Sequence, residues 1–287
     1  MAGEAGSGDE RTGPDERFPR TPALPTQSAL FWVEQKDRYL RQLLIRDIEA
    51  RTRRRLLVYF TNCETTAQID GNDDQHIQEI AQGAGRGPVD LLLETNGGVT
   101  DAAEKVISVL RGHVAPDQLR VVVPRRAKSN GTLVALAASQ IVMGVASELG
   151  PIDPNLLIGQ ALIPAQFVVQ AQNADPIIVQ TAVFAIAQTK KLATTLLAAG
   201  MLRDRNPGDI QAVVDQLSTR NTYHSHGSVI DVEEAQRLGL AVVRLDPDDE
   251  LWRCFWLLRC VYDADSRSGR FVKVFESARV STALRAA

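Results

Sequence analysis

Two short segments of this 287-residue chain hold residue types that could do chemistry together. One is Asn96-Gly97-Gly98, which follows the apolar run Asp90-Leu-Leu-Leu-Glu-Thr. Two glycines at the carboxyl end of a strand let the backbone turn sharply and leave N–H groups aimed into open space, where ligands of α/β sheets bind. Such N–H groups suit an oxyanion. The other segment is Ala127-Lys-Ser-Asn-Gly-Thr, about thirty residues on, which opens a stretch rich in small residues. A serine at the start of a helix sits among free N–H groups and the positive end of the dipole, which favour an alkoxide or a tetrahedral oxyanion. Each segment also has a plainer reading, a tight turn for the glycines and an N-cap for Ser129. The Rossmann and Walker glycine patterns are absent, so a nucleotide phosphate is not the natural ligand.

The elements that must position these residues read as repeated βα units on a mostly parallel sheet, with flanking N- and C-terminal helices. Short apolar runs predict strands at 56–61, 89–95, 119–124, 141–144 and 240–245. Helical spacing predicts helices at 73–83, 100–112, 130–139, 176–200, 207–218 and 231–238. An exposed amphipathic helix over 28–53 precedes the first strand, ending in the arginine-rich run 51–55, which reads as a solvated helix end. Another follows the last strand at 248–261, with Trp252 and Trp256 expected in core packing or a subunit contact. Residues 1–27, rich in glycine, proline and charge, are expected to be disordered. Residues 28–262 then make one domain and 263–287 a C-terminal extension.

Composition removes several function classes. With 32 basic against 35 acidic residues, nothing asks for nucleic acid or an anionic membrane. Three scattered cysteines give neither a disulfide framework nor a zinc pattern, and a reducing cytoplasm is the simplest location. No run reaches the roughly 18 apolar residues of a membrane span, and the first ten residues lack the order of a signal peptide. No metal or cofactor is expected.

The order of motifs carries more than any one of them. Gly97-Gly98 comes first, then Ala127-Lys-Ser-Asn-Gly-Thr, then Ile141-Val-Met-Gly and Glu148-Leu-Gly-Pro-Ile-Asp-Pro-Asn, then His226-Gly-Ser-Val-Ile-Asp-Val-Glu-Glu-Ala-Gln-Arg-Leu-Gly-Leu. From about Leu30 to about Tyr262 this resembles the serine dehydrogenase proteinase family. That family is grouped with the Clp protease proteolytic subunit and signal peptide peptidase A in the crotonase-like fold. The resemblance implies a crotonase-like α/β domain, a serine peptidase acting on peptide or protein substrates, and a homo-oligomer. It puts Ser129 at the nucleophile position and Gly97-Gly98 at the oxyanion turn, with Asn130 and Gly131 beside them on the substrate side. Asn96 stands where the family often has proline, and Asn130 where it often has glycine or alanine.

A serine hydroxyl needs a base to take its proton. The position matching the Clp histidine is Asp153, a poor base alone because its ordinary pKa is about 3.9, yet suited to orient a histidine. His226 falls near the Clp subunit's third catalytic residue, so a triad with the two positions exchanged is one candidate. The Ser-Lys pair of signal peptide peptidases points instead to Lys190 or Lys191. His224, His76 and His113 read as solvated polar residues. The alternative to a peptidase is a catalytically silent oligomeric scaffold or binding module in which Ser129 only caps its helix. Acyl-coenzyme A chemistry is a third reading that no residue favours.

Overall fold

The computed structural model describes residues 28–84, 87–268 and 271–285, and the expected disordered tail 1–27 lies outside them. The strands are β1 (Arg55–Thr61), β2 (Val89–Glu94), β3 (Leu119–Val123), β4 (Arg126–Ala127), β5 (Gln140–Met143), β6 (Glu148–Leu149), β7 (Asn155–Ile158), β8 (Ala161–Pro164), β9 (Val242–Arg244), β10 (Lys273–Ser277) and β11 (Ser281–Leu284). The helices are α1 (Ala29–Glu34), α2 (Lys36–Thr52), α3 (Asp73–Ala84), α4 (Thr100–His113), α5 (Asn130–Leu136), α6 (Ala165–Gln170), α7 (Pro176–Ala199), α8 (Pro207–Leu217), α9 (Val232–Arg237) and α10 (Glu250–Arg267).

A seven-stranded sheet in the order β11-β10-β1-β2-β3-β5-β9 forms the middle layer. From β1 to β9 the neighbours are parallel, while β10 and β11 join antiparallel. Parallel strands covered on both faces need apolar residues at every position, and all six residues of β2 are buried. Their pleat feeds two cores. Leu57, Tyr59, Leu91 and Leu93 enter the core under α3, α4, α5, α7 and α8. Leu56, Val58, Phe60 and Leu92 enter the other, with Ile45 and Ile48 of α2 and Phe255 and Leu258 of α10.

Several expectations are corrected. The helix expected over 28–53 is two helices that break at Gln35, and α2 buries Tyr39, Ile45 and Ile48, so it is not an exposed helix. Its arginine-rich end is not simply solvated. Arg54 Nε lies 2.5 Å from Asp90 Oδ1, and Arg120 Nη2 lies 2.7 Å from Asp90 Oδ2. Trp252 is 4% exposed and faces inward, so close to Gly144 that a Cβ there would lie 2.3 Å from the indole. Helix α10 runs through the boundary expected at 262, and residues of the expected extension form β10 against β1 and β11 against β10. The hairpin β7–β8 and α6 were not expected either; with the first half of α7 they enclose a small separate core around Ala165, Val168 and Ala182.

Candidate active site

The carboxyl ends of β2 and β3 bring the two segments together. Past β2, the Thr95 N–H donates to Arg126 O at 3.0 Å and Thr95 O accepts from the Lys128 N–H at 3.0 Å, so the chain leaving β2 is stitched to β4 just before the serine. The Gly97 N–H folds back onto Thr95 Oγ1 at 3.1 Å, and Ile69 brackets the turn by donating to Gly97 O and accepting from Val99 N. Gly97 and Gly98 have φ of 103° and 151°, where side chains rarely go. Space forbids a side chain as well: a Cβ on Gly97 would lie 2.7 Å from Ser129 Cβ, and one on Gly98 2.3 Å from Ile69 O.

Ser129 precedes α5 with φ 53° and ψ −121°, and its side chain makes no capping hydrogen bond. A non-glycine residue in such a conformation costs about 1–3 kcal/mol and persists only where its surroundings over-determine it. Here they do. The Gly131 N–H donates to Lys128 O at 2.7 Å, and the Thr132 hydroxyl lies 2.8 Å from both Ala127 O and Gly150 O. Lys128 points away, its Nζ 3.0 Å from Glu148 Oε2 and 2.9 Å from Ser228 O. The strain holds the serine in a pose that the N-cap reading does not require.

Asn130, unusual for the resembled family, has a structural partner. Its Nδ2 donates to Gly98 O at 2.6 Å and Thr100 Oγ1 at 3.2 Å, fixing the glycine turn from the serine side. With the Gly97 N–H already used, the Gly98 and Asn130 N–H groups are left without a protein acceptor among the described residues. Gly131 serves packing: a Cβ there would meet Thr95 Cγ2 at 2.5 Å.

A cavity of about 240 Å³ opens at this point, bordered by Ser129, Gly98, Asn130, His226, Asn155 and Thr189 among others. His226 Nδ1 lies 2.9 Å from Asp153 Oδ1, and Asp153 is 3% exposed. In the tautomer that donates Nδ1–H to the carboxylate, the Nε2 lone pair is free to accept a proton. The second oxygen, Asp153 Oδ2, accepts from Arg220 Nε at 2.5 Å. Arg220 is held in turn, its Nη1 3.3 Å from His224 O and its own N–H on Gln166 Oε1 at 2.9 Å. Sequence reasoning missed Arg220, because the demand for a cation comes from the burial of Asp153, which no spacing in the chain reveals.

The lysines go elsewhere. Lys190 Nζ pairs with Asp215 Oδ1 at 2.7 Å between α7 and α8, and Lys191 is exposed; neither borders the cavity. His224 is exposed, His76 stacks on Phe275 with ring centres 4.8 Å apart, and His113 Nε2 lies 2.8 Å from Gln78 Oε1. His76 and His113 are half-buried rather than solvated. Cys63 is no rival nucleophile: burial first and the Glu94 charge second push its thiol up to about 12.

Comparison with known proteins adds three findings. The family described as ClpP-like SDH-type serine proteinase matches residues 43–261. Two uncharacterized proteins of Methanocaldococcus jannaschii, MJ0137 and MJ1495, are 36% and 29% identical over 56% and 54% of this chain. The matches cover 56% and 52% of those proteins, so the chain spans about half the length of the curated relatives it matches. Among solved structures, the 1510-N membrane-bound stomatin-specific protease is 20% identical with a TM-score of 0.41, over 64% of this chain and 76% of its own. ClpP1 from Listeria monocytogenes is 14% identical with a TM-score of 0.42, over 74% of this chain and 99% of its own.

Proposed function

We propose that this chain, which belongs to the family of ClpP-like SDH-type serine proteinases, cleaves peptide bonds with Ser129 as nucleophile and an exchanged His226-Asp153 pair as its proton relay. The observation that carries the reading is the shared cavity. Ser129, uncapped and strained, borders the same small space as His226, whose far nitrogen is paired with a buried aspartate.

In this mechanism Ser129 Oγ attacks the scissile carbonyl while His226 Nε2 takes the hydroxyl proton. The carbonyl oxygen, now an oxyanion, accepts from the Gly98 and Asn130 N–H groups, whose positions are fixed before the substrate arrives. Collapse breaks the C–N bond, and the leaving amine takes the proton from His226. Water then attacks the acyl-enzyme with His226 as base, releasing the acid and restoring Ser129. Asp153 stays ionised, orienting the imidazole and stabilising its charged form, and Arg220 offsets the burial of that carboxylate. Lys190, committed to Asp215, has no part in this scheme. The scaffold reading needs Ser129 as a helix cap, and the missing cap bond speaks against it.

Reaction with a fluorophosphonate probe tests the proposal. The wild type should label and Ser129→Ala should not. Equal labelling of the two, or none of a folded wild type, would overturn it.

A further inference from the structure

One polar group beside Ser129 has no place in that mechanism. Thr189, in the middle of α7, is 2% exposed and borders the cavity. Two other threonines of the same helix return their hydroxyls to the carbonyl one turn back, Thr181 to Ile177 O at 2.8 Å and Thr195 to Lys191 O at 2.9 Å. Such back-bonding is the default for a helical threonine. The Thr189 hydroxyl does not do this, and it has no hydrogen-bond partner among the described residues. The hydroxyl has access to the cavity instead, so a ligand that fills the cavity and shuts out water must either complete it or leave it unpaired, which is costly.

The surroundings define the ligand's chemistry. Ile152, Pro154 and Leu162 give apolar wall, Gln68 and Asn155 add neutral amides, and His226 is the one ionisable side chain among the bordering residues. A charged substrate group would therefore be buried without a counter-charge, which is strongly unfavourable. At about 240 Å³ the space is smaller than an ordinary small-molecule pocket of roughly 300 Å³ or more. It suits one short side chain.

Resting on the serine-peptidase reading, we infer that Thr189 sets specificity: its hydroxyl selects peptides with a short, uncharged, hydrogen-bonding side chain (serine, threonine or asparagine) next to the scissile bond. Where a site is built to hydrogen-bond a substrate group, the isostere lacking it is rejected, since the site's own buried group is then left unpaired.

The test uses the full chain and quenched peptides in matched pairs that differ at one position beside the cleaved bond, threonine against valine and asparagine against leucine. The wild type should favour the polar member by about 10-fold or more in kcat/KM. Thr189→Val should erase or reverse that ratio, and Thr189→Ser, which keeps the hydroxyl, should preserve it. A wild type that cleaves both members equally overturns this inference and leaves the peptidase reading standing, as does a ratio unchanged in Thr189→Val. A folded wild type that neither cleaves nor labels with fluorophosphonate overturns both.

Discussion

At the scale of single residues, the site's least expected member is Arg220, which touches Asp153 and leaves the reacting atoms to others. Asp153 divides its two oxygens between His226 and Arg220, so the arginine fixes the carboxylate's rotation and through it the imidazole. Small misplacements of catalytic groups can cost on the order of 100-fold in rate. Arg220→Gln should lower kcat/KM by roughly 10- to 100-fold. Arg220→Lys, which keeps a cationic donor toward Asp153, should lose less. Peptide hydrolysis by the two folded variants checks this, and an equal loss in both would reduce Arg220 to a packing role. How far the site is legible in sequence follows from the same residues. Gly97-Gly98 and Ser129 stand out because turn and helix-start chemistry act on neighbours in the chain, whereas Arg220 and Thr189 matter only through which atoms are buried beside them. Lys190 shows the opposite failure: it has the right residue type on the right helix, yet its charge is satisfied by Asp215.

At the scale of elements, β2 and β3 were readable because a parallel strand covered on both faces must be apolar throughout. The strand β10 escaped that rule, since Lys273 and Glu276 interrupt its pattern although all five residues are buried. Their partners come from far along the chain. Lys273 Nζ lies 2.5 Å from Asp70 Oδ2 and 2.9 Å from Asp73 Oδ1, and Glu276 Oε2 accepts from Arg41 Nε at 2.7 Å and from Tyr262 at 2.5 Å. Hydropathy assigns such residues to the surface; the tertiary structure makes them cross-links. Burial pushes the Asp70 carboxyl up, but the hydrogen bond and charge of Lys273 outweigh it and hold the group below its ordinary 3.8. That contribution to stability is complete above the ordinary value and lost as pH falls through the lower folded one. Asp73 behaves oppositely: burial leaves it raised even with Tyr59 and Lys273 bonded to it. Lys273→Met should therefore cost about 3–5 kcal/mol near neutral pH, the usual cost of stranding one member of a buried pair. The loss should shrink as pH falls and Asp73, its carboxyl raised by burial, takes up a proton, and urea unfolding at neutral and acidic pH measures it.

At the scale of the whole molecule, one group of exposed apolar side chains lies on α7 and the hairpin β7–β8, where Ile177, Phe184, Leu157 and Leu162 are between 64% and 77% exposed. Clusters of exposed apolar side chains mark contact surfaces. If the chain forms the homo-oligomer that the family resemblance implies, this surface is the expected contact, since Trp252 faces inward. Light scattering should give a mass above the monomer, and Phe184→Asp should lower it; an unchanged monomeric wild type removes the interface. The sheet's order has a consequence in time. Strand β1 lies between β2 and β10, so one of its edges stays bare until residues 273–277 arrive. At about 5–20 residues per second, the roughly 210 residues between them take some 10–40 s to synthesise. Through that interval the parallel part of the sheet can assemble while β1 offers a row of unpaired backbone groups to any other strand nearby. A chain cut short before β10 keeps every residue of the proposed active site and still carries an open edge ready to pair with its neighbours.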